Sequence, residues 1–227
     1  MSLARADIHI HTTCSDGRHT PVELARALGY GDLAVAAITD HDTIEGGLRV
    51  RDVLGGLGPE IIVGSEITSA DGHVLGLFLG RDVPAGMSAE ATIAAIHEQG
   101  GVAIAAHPYA LAQGVGDRAA KLPFDGIEVV NGSPLMELGN QRARHRLRHA
   151  SAALLGGSDA HVAGAVGGVY TRFPGSTAAD LRAAISARRT EPVTDWAVHL
   201  SSMTEHTAWL GWLFVAKRPS VKEPTPV

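Results

Sequence analysis

Apolar residues in this chain come in short runs, and the runs end on polar residues of a narrow kind. Leu33 to Thr39 is bounded by polar sequence, the signature of a strand buried on both faces, and it delivers Asp40-His41-Asp42. Glu60 to Ile67 reads as the next strand and carries Glu66. Val102 to Ala106 delivers His107-Pro108, where proline stops the ladder, and Asp125 to Asn131 is a strand ending in a polar residue. Ala152 to Leu155 leads into Gly156-Gly157-Ser158-Asp159-Ala160-His161. In the opening strand, Asp7-Ile8-His9-Ile10-His11, side chains two apart emerge together. His9 and His11 can therefore grip one ion, while Ile8 and Ile10 face a packed layer. His73 to Leu79, entered through the Asp71-Gly72 turn, reads as an antiparallel strand, and Gly167 to Phe173 as a further one.

Helical signals fall between these runs. Thr20-Pro21-Val22-Glu23 places an N-cap, a proline in the first turn and a capping-box glutamate, and predicts a helix to about Gly29. Thr43 is the predicted cap of a helix through about Leu54, ended by the Gly55 to Pro59 breaker. Ser88 caps a helix to Gln99, a basic helix runs from about Leu135 to Ala150, and Thr177 to Arg188 has Leu181 and Ile185 on one face. Alternating strands and helices place the chain in the α/β class. Beyond Glu191-Pro192 the pattern weakens. Residues 193–227 read as a C-terminal tail: an apolar segment with Trp196, Trp209 and Trp212, for which packing on the domain is the default beside a homo-oligomer contact or binding of another protein, then a Pro-rich charged end from Lys217 to Val227 expected to be disordered.

Composition narrows the possibilities. The chain has 227 residues, 45% of them hydrophobic, enough for one substantial core. A net charge of -5 argues against nucleic acid as a partner, although Arg142, Arg144, Arg146 and Arg148 form a local basic patch. No run is long enough to span a bilayer, no apolar leader opens the chain, and Cys14 is alone, so a soluble cytoplasmic protein with no membrane partner is expected. Nothing in the composition speaks to oligomeric state.

The carboxyl ends of strands in a parallel α/β architecture converge on one face, so the residues ending these runs converge too. Imidazole and carboxylate without thiolate suit zinc, manganese or iron, and the number of candidates exceeds the needs of one tetrahedral ion. His9-Ile10-His11 with Asp16, Thr39-Asp40-His41-Asp42, Gly64-Ser65-Glu66, Ala106-His107-Pro108, Gly126-Ile127-Glu128-Val129 and Gly157-Ser158-Asp159-Ala160-His161 resemble, in this order, the motifs of the PHP (polymerase and histidinol phosphatase) family of metal-dependent phosphoesterases. The resemblance spans roughly residues 6 to 192, taken as a domain of residues 1–192. It implies a distorted (β/α)7 barrel in a single domain, with two or three divalent ions (zinc, manganese or iron) at the strand ends.

Carried over by position, the resemblance assigns His9, His11, Glu66 and Asp159 to one ion. Glu66 bridges to a second ion bound by His107, and Asp16, His41 and His161 hold a third. Asn131 stands where the family commonly has His or Cys, a weaker ligand for the second position, and Glu128 is expected on the core side or supporting a ligand. These eight His, Asp and Glu residues would act catalytically through the metals. The implied reaction is hydrolysis of a small phosphomonoester (a nucleotide, sugar or amino-alcohol phosphate) by a metal-bridging hydroxide. Arg118, Lys121, Arg142 and Arg144 are candidates for binding phosphate, and a histidine or Asp42 for the leaving-group acid. Two alternatives stand beside it: a metallohydrolase acting on an amide or lactone, and a catalytically idle metal-binding domain that works through protein partners. His19, His73, His97, His145, His149, His199 and His206 are expected to be mostly surface or structural.

Overall fold

In the computed structural model, which describes residues 3–216, nine strands form one sheet in the order β7-β6-β5-β4-β3-β2-β1-β8-β9. The strands are β1 (Leu3–Asp7), β2 (Val35–Ile38), β3 (Glu60–Ser69), β4 (Gly72–Leu77), β5 (Val102–Ala105), β6 (Gly126–Asn131), β7 (Ala153–Gly157), β8 (Val169–Pro174) and β9 (Glu191–Thr194). β1, β2 and β3 run parallel, as do β5, β6 and β7. β4 is antiparallel to both of its neighbours, as the Asp71-Gly72 turn predicts.

The sheet curls into a nearly closed barrel. Beyond β1 and β7 the two chains meet again: the His11 N–H donates to the Ala160 carbonyl at 3.0 Å and the Ala160 N–H to the His9 carbonyl at 3.2 Å. β1 ends at Asp7, earlier than its alternating pattern suggests, because its ladders engage Leu3 to Asp7 and the chain then turns to pair with Ala160. The Thr171 hydroxyl donates to the Gly156 carbonyl at 2.8 Å and accepts from the Gly156 N–H at 2.9 Å, tying β8 to β7 across the remaining seam. The expected distorted (β/α)7 barrel is therefore the fold.

Helices cover the outside. α1 (Pro21–Leu28) begins in the capping box read from the sequence, with the Thr20 hydroxyl accepting from the Glu23 N–H at 3.3 Å and Glu23 accepting from the Thr20 N–H at 2.9 Å. α2 (Glu45–Leu54) differs at its start. Ile44 occupies the cap position because Asp82 accepts its N–H at 2.8 Å, and Thr43 accepts from Glu45 just outside. α3 (Ala89–Glu98) has the expected Ser88 cap, and α4 (Glu137–Arg146) is shorter at both ends than its basic run. α5 (Ala178–Ser186) lies across the end of the barrel where the strands begin. Its Ala178 N–H reaches Glu60, its Arg182 reaches the Gly100 carbonyl, and Leu181, Ala184 and Ile185 join Ala6, Ile8, Val35, Leu75, Ile104 and Leu155 in one cluster. Each Val, Leu or Ile among these stabilises by roughly 1.5–3 kcal/mol on full burial. The sealed end leaves the opposite mouth, where the strands finish, for the polar residues.

Residues beyond 192 complete β9 and then form a 21-residue helix, α6 (Trp196–Ala216), started by Asp195, which accepts from the Ala197 N–H at 3.1 Å. The expectation of disorder for Lys217 to Val227 lies outside the described residues. Among the described residues, no helix is long and apolar enough to cross a membrane.

Candidate metal centre

His9 and His11, just beyond β1, Glu66, within β3, and Asp159, just beyond β7, bring one ligand atom each within 4.8 Å of one another and are all buried. A second group, His11, Asp16, His41 and His161, shares His11 with the first, and a third, His41, Glu66 and His73, shares Glu66. Glu66 lies at the junction. Its Oε2 is 3.1 Å from His9 Nε2 and 3.4 Å from both His11 Nε2 and His41 Nδ1, while Oε1 is 2.8 Å from His107 Nε2 and 2.7 Å from His73 Nδ1. All eight His, Asp and Glu residues expected at the site are thus gathered at the barrel mouth.

Local backbone and buried partners aim these side chains. His107 and Asp159 adopt the left-handed backbone region, φ 23° and 50°, which turns the chain sharply as it leaves the strand. Glu128, fully buried, pairs Oε1 with His9 Nδ1 at 3.0 Å and accepts the His107 N–H on Oε2 at 2.8 Å. With its Nδ1 turned to Glu128, His9 presents Nε2 to Glu66 and Asp159, the arrangement that orients a metal-binding imidazole. Asp40, also buried, accepts from the Thr12 N–H at 2.7 Å and the Ser15 hydroxyl at 2.6 Å, so it staples the loop carrying Asp16. Position 46 must be glycine for this staple, since a β-carbon there would lie 1.8 Å from Asp40 Oδ2.

Two positions gain partners in the fold. The Asn131 amide is occupied within the protein: Nδ2 donates to Glu128 Oε2 at 2.9 Å and to Asp159 Oδ2 at 3.2 Å, and Oδ1 accepts from the Ser133 N–H at 2.9 Å. His73, expected to be surface or structural, is buried with Nδ1 2.7 Å from Glu66 Oε1. The signal was in the hairpin. β3 and β4 pair Glu66 with Leu75 and Thr68 with His73, so His73 is the diagonal same-face neighbour of Glu66.

The other candidates scatter. Arg118 pairs with Asp71 at 3.2 Å, and Arg142 stacks on Tyr109, 4.7 Å from the ring centre, beside a cavity of about 390 Å3 lined also by Leu135 and Leu138. Arg144 lines a small cavity with Asn131 and His199, and Lys121 is exposed. Asp42 accepts the Thr68 N–H at 2.7 Å, which occupies one oxygen of the candidate acid. Of the remaining histidines, His19 accepts the Ala163 N–H and His97 pairs with Asp125.

The electrostatics favour cations. Burial opposes charge on His9, yet Asp159, Glu128 and Glu66 hold its pKa well above the ordinary imidazole value. Burial likewise opposes charge on His107 and His161, but Glu66 raises the first, and Asp16 with Asp159 raises the second to about 9. Burial works against ionisation of Glu66 and Asp159 too, and is outweighed by the surrounding imidazoles, His9 foremost, which hold both carboxyls well below the usual range. Asp16 is lowered against burial by its bond with His161 and by His11. His11 is lowered by burial first and then by His161, and His206, behind His161, is pushed down to about 4 by burial. Protons here balance buried carboxylates, a role that a divalent ion fills better.

The residues also pass a stricter test of fit. Among the described residues, His11 Nδ1 and His107 Nδ1 are buried with no hydrogen-bond partner, His11 Nδ1 lying 3.6 Å from Asp16 Oδ1, an arrangement that costs roughly 1–3 kcal/mol per group unless a ligand is there to use the lone pair. Nitrogen and oxygen donors in three overlapping groups suit a divalent cation.

The signs of these shifts give a testable pH dependence. His161, raised from 6.5 to about 9, contributes stability to the ion-free protein that is full below pH 6.5 and is lost as pH rises through 9. Metal affinity should run oppositely, increasing across the same window because each ion displaces protons. Calorimetric titration with Mn2+ in two buffers of different ionisation enthalpy is expected to show net proton release at pH 7. Binding without proton release at pH 7 would contradict the assignment.

Comparison with known proteins places the chain among a recognisable set. A PHP-associated family model matches residues 137–190. The uncharacterized protein MJ1587 of Methanocaldococcus jannaschii is 41% identical over 139 residues, 56% of this chain and 81% of that protein. A 5'-3' exoribonuclease of Haemophilus influenzae is 37% identical over 82 residues, 34% of this chain and 30% of the enzyme. Among solved structures, a two-domain protein from Bacteroides vulgatus containing a predicted PHP-like metal-dependent phosphoesterase superposes with a TM-score of 0.69 at 23% identity, covering 85% of this chain and 65% of that one.

Proposed function

Because this chain belongs to the PHP family, we propose that it is a metal-dependent phosphoesterase that hydrolyses a small phosphomonoester. The observation carrying the proposal is the sharing of Glu66 and His11 among three overlapping ligand groups, which suits closely spaced cations better than one isolated ion. His9, His11, Glu66 and Asp159 would hold one cation, Glu66, His73 and His107 a second, and Asp16, His41 and His161 a third. When bound, such ions supply positive charge for the phosphoryl oxygens and lower the pKa of water.

The chain's own residues do the rest. Glu128 holds the His9 ring with Nε2 facing the cluster and fixes the backbone of His107. The Asn131 amide locks Glu128 and Asp159 together. The apolar cavity at Tyr109, two residues beyond His107, offers Leu135, Leu138 and the stacked Arg142 to a leaving group. Arg142 lines this cavity, whereas Arg118 and Arg146 are engaged with Asp71 and Asp117.

The similarity to an exoribonuclease supports a second reading, in which the phosphoester belongs to the end of an RNA chain. The chain spans only 30% of that enzyme, and its net charge of -5 offers little to a polyanion, so the small substrate is favoured. Phosphate release from a panel of nucleoside, sugar and amino-alcohol phosphates, beside a 5'-phosphorylated oligoribonucleotide, each with Zn2+, Mn2+ or Fe2+, tests both. Metal-dependent release from a small monoester is expected. Cleavage of the oligonucleotide alone would overturn the favoured substrate, and no release with any metal would overturn the activity.

A further inference from the structure

α6 touches the centre at the loops that carry Asp16 and His161. The Trp209 indole N–H donates to the Asp16 carbonyl at 2.9 Å, and His206, buried on the same face, lies with Nε2 3.4 Å from the His161 backbone N–H and its ring 5.7 Å from the His161 ring. Asp16 and His161 face each other, Oδ1 to Nε2, at 3.2 Å. They arrive on separate loops that are tied together by the Arg18 N–H donating to the His161 carbonyl at 2.8 Å, and Arg18 pairs through its guanidinium with Glu205 on the helix. The helix therefore contacts both loops at the residues that would hold the third cation.

That contact is specific rather than a general apolar docking. Ser202 and His206 are the helix residues that are fully buried, while Trp196, Leu200, Trp212 and Phe214 remain largely exposed. The Asp16 loop has no strand or helix of its own to hold it. It is packed so closely that a β-carbon on Gly17 would lie 2.5 Å from the His11 carbonyl oxygen, and its outer side is covered by Trp209. A ligand on such a loop keeps its geometry only if the supporting contacts do.

Resting on the metal-centre reading above, we infer that α6 is a working part of that centre: Trp209 and His206 are positioning residues that hold Asp16 and His161 in register for the third cation. The helix then sets the affinity of one cation position and leaves the other two alone.

The test uses the full chain and Mn2+ alone, with affinity and stoichiometry read by calorimetry and by elemental analysis after gel filtration. Trp209→Phe keeps the aromatic packing and removes the N–H. It is expected to weaken one class of Mn2+ sites about fivefold to tenfold, the size of one lost hydrogen bond, with the tighter class unchanged. His206→Leu should act on the same class, and His206→Gln, which retains an acceptor for the His161 N–H, should recover most of the loss. Leu200→Ala, on the exposed side, serves as the control and should bind as the parent does. Thermal melting and circular dichroism identify any variant that fails to fold, and the His206 pair then carries the test.

If Trp209→Phe and His206→Leu bind every ion with parental affinity and number, the inference is overturned while the phosphoesterase reading stands. Equal weakening of all sites would also overturn it, since the helix would then be supporting the fold as a whole. A parent chain that binds no Mn2+ would overturn both.

Discussion

Glu66→Gln is expected to reduce metal-dependent phosphate release by about a hundredfold to a thousandfold, the scale of losing one preorganised charge-stabilising group at an active centre. Glu66 is the carboxylate nearest to five imidazoles at once, with Oε2 facing His9, His11 and His41 and Oε1 facing His73 and His107. Glutamine keeps the volume and one acceptor oxygen but replaces the other oxygen with an N–H2 group, so it cannot serve two cations. Its loss should also appear in elemental analysis as fewer ions per chain. Asp159→Ala, which removes a carboxylate from one group only, is expected to leave Asp16, His41 and His161 able to retain an ion. Turnover by Glu66→Gln within tenfold of the parent would refute the shared-carboxylate centre.

Chelation should produce the second large effect, on stability. A ligand that binds only the folded state at one hundred times its Kd stabilises by about 2.7 kcal/mol, which for a domain of this size corresponds to about 5–10 °C in Tm for each ion. The folded chain has a reason to respond this strongly: buried carboxylates are balanced by imidazolium groups whose own burial opposes their charge, and two buried imidazole nitrogens have no hydrogen-bond partner among the described residues. Melting by calorimetry before and after exhaustive chelation, then with Mn2+ restored, measures the difference. Equal melting temperatures in all three would mean that no cation prefers the folded protein.

Much of the centre was legible in the residues because strand ends are a local property. An apolar run of four to eight residues closed by His, Asp or Glu announces both the strand and the side chain at its mouth. His41, His107 and Asp159 with His161 follow such runs, His9 and His11 alternate with apolar residues in the opening strand, Glu66 is carried within its strand, and Asp16 follows within the first loop. Helix starts were legible for the same reason where the cap is a side chain of the neighbouring turn, as at Thr20, Ser88 and Thr177. Thr43 is instructive. Its local chemistry is that of a cap, but Asp82, distant in sequence, takes the Ile44 N–H and moves the helix start by one residue.

What the chain by itself determined, then, is the alternation of strands and helices, the donor types and the strands that carry them. Period, capping and residue chemistry act over a few neighbours and need no knowledge of the rest of the molecule. Only the tertiary structure decided which donors share an ion. His73 joins Glu66 because of the register of one hairpin, Asn131 is drawn into hydrogen bonds by Glu128 and Asp159, and the barrel closes where Ile10 meets Ala160. It alone decided the place of α6, which buries only Ser202 and His206 fully and so carries little apolar periodicity to read. Distances between residues far apart in sequence are set by packing and register, and these belong to the whole fold rather than to any stretch of it.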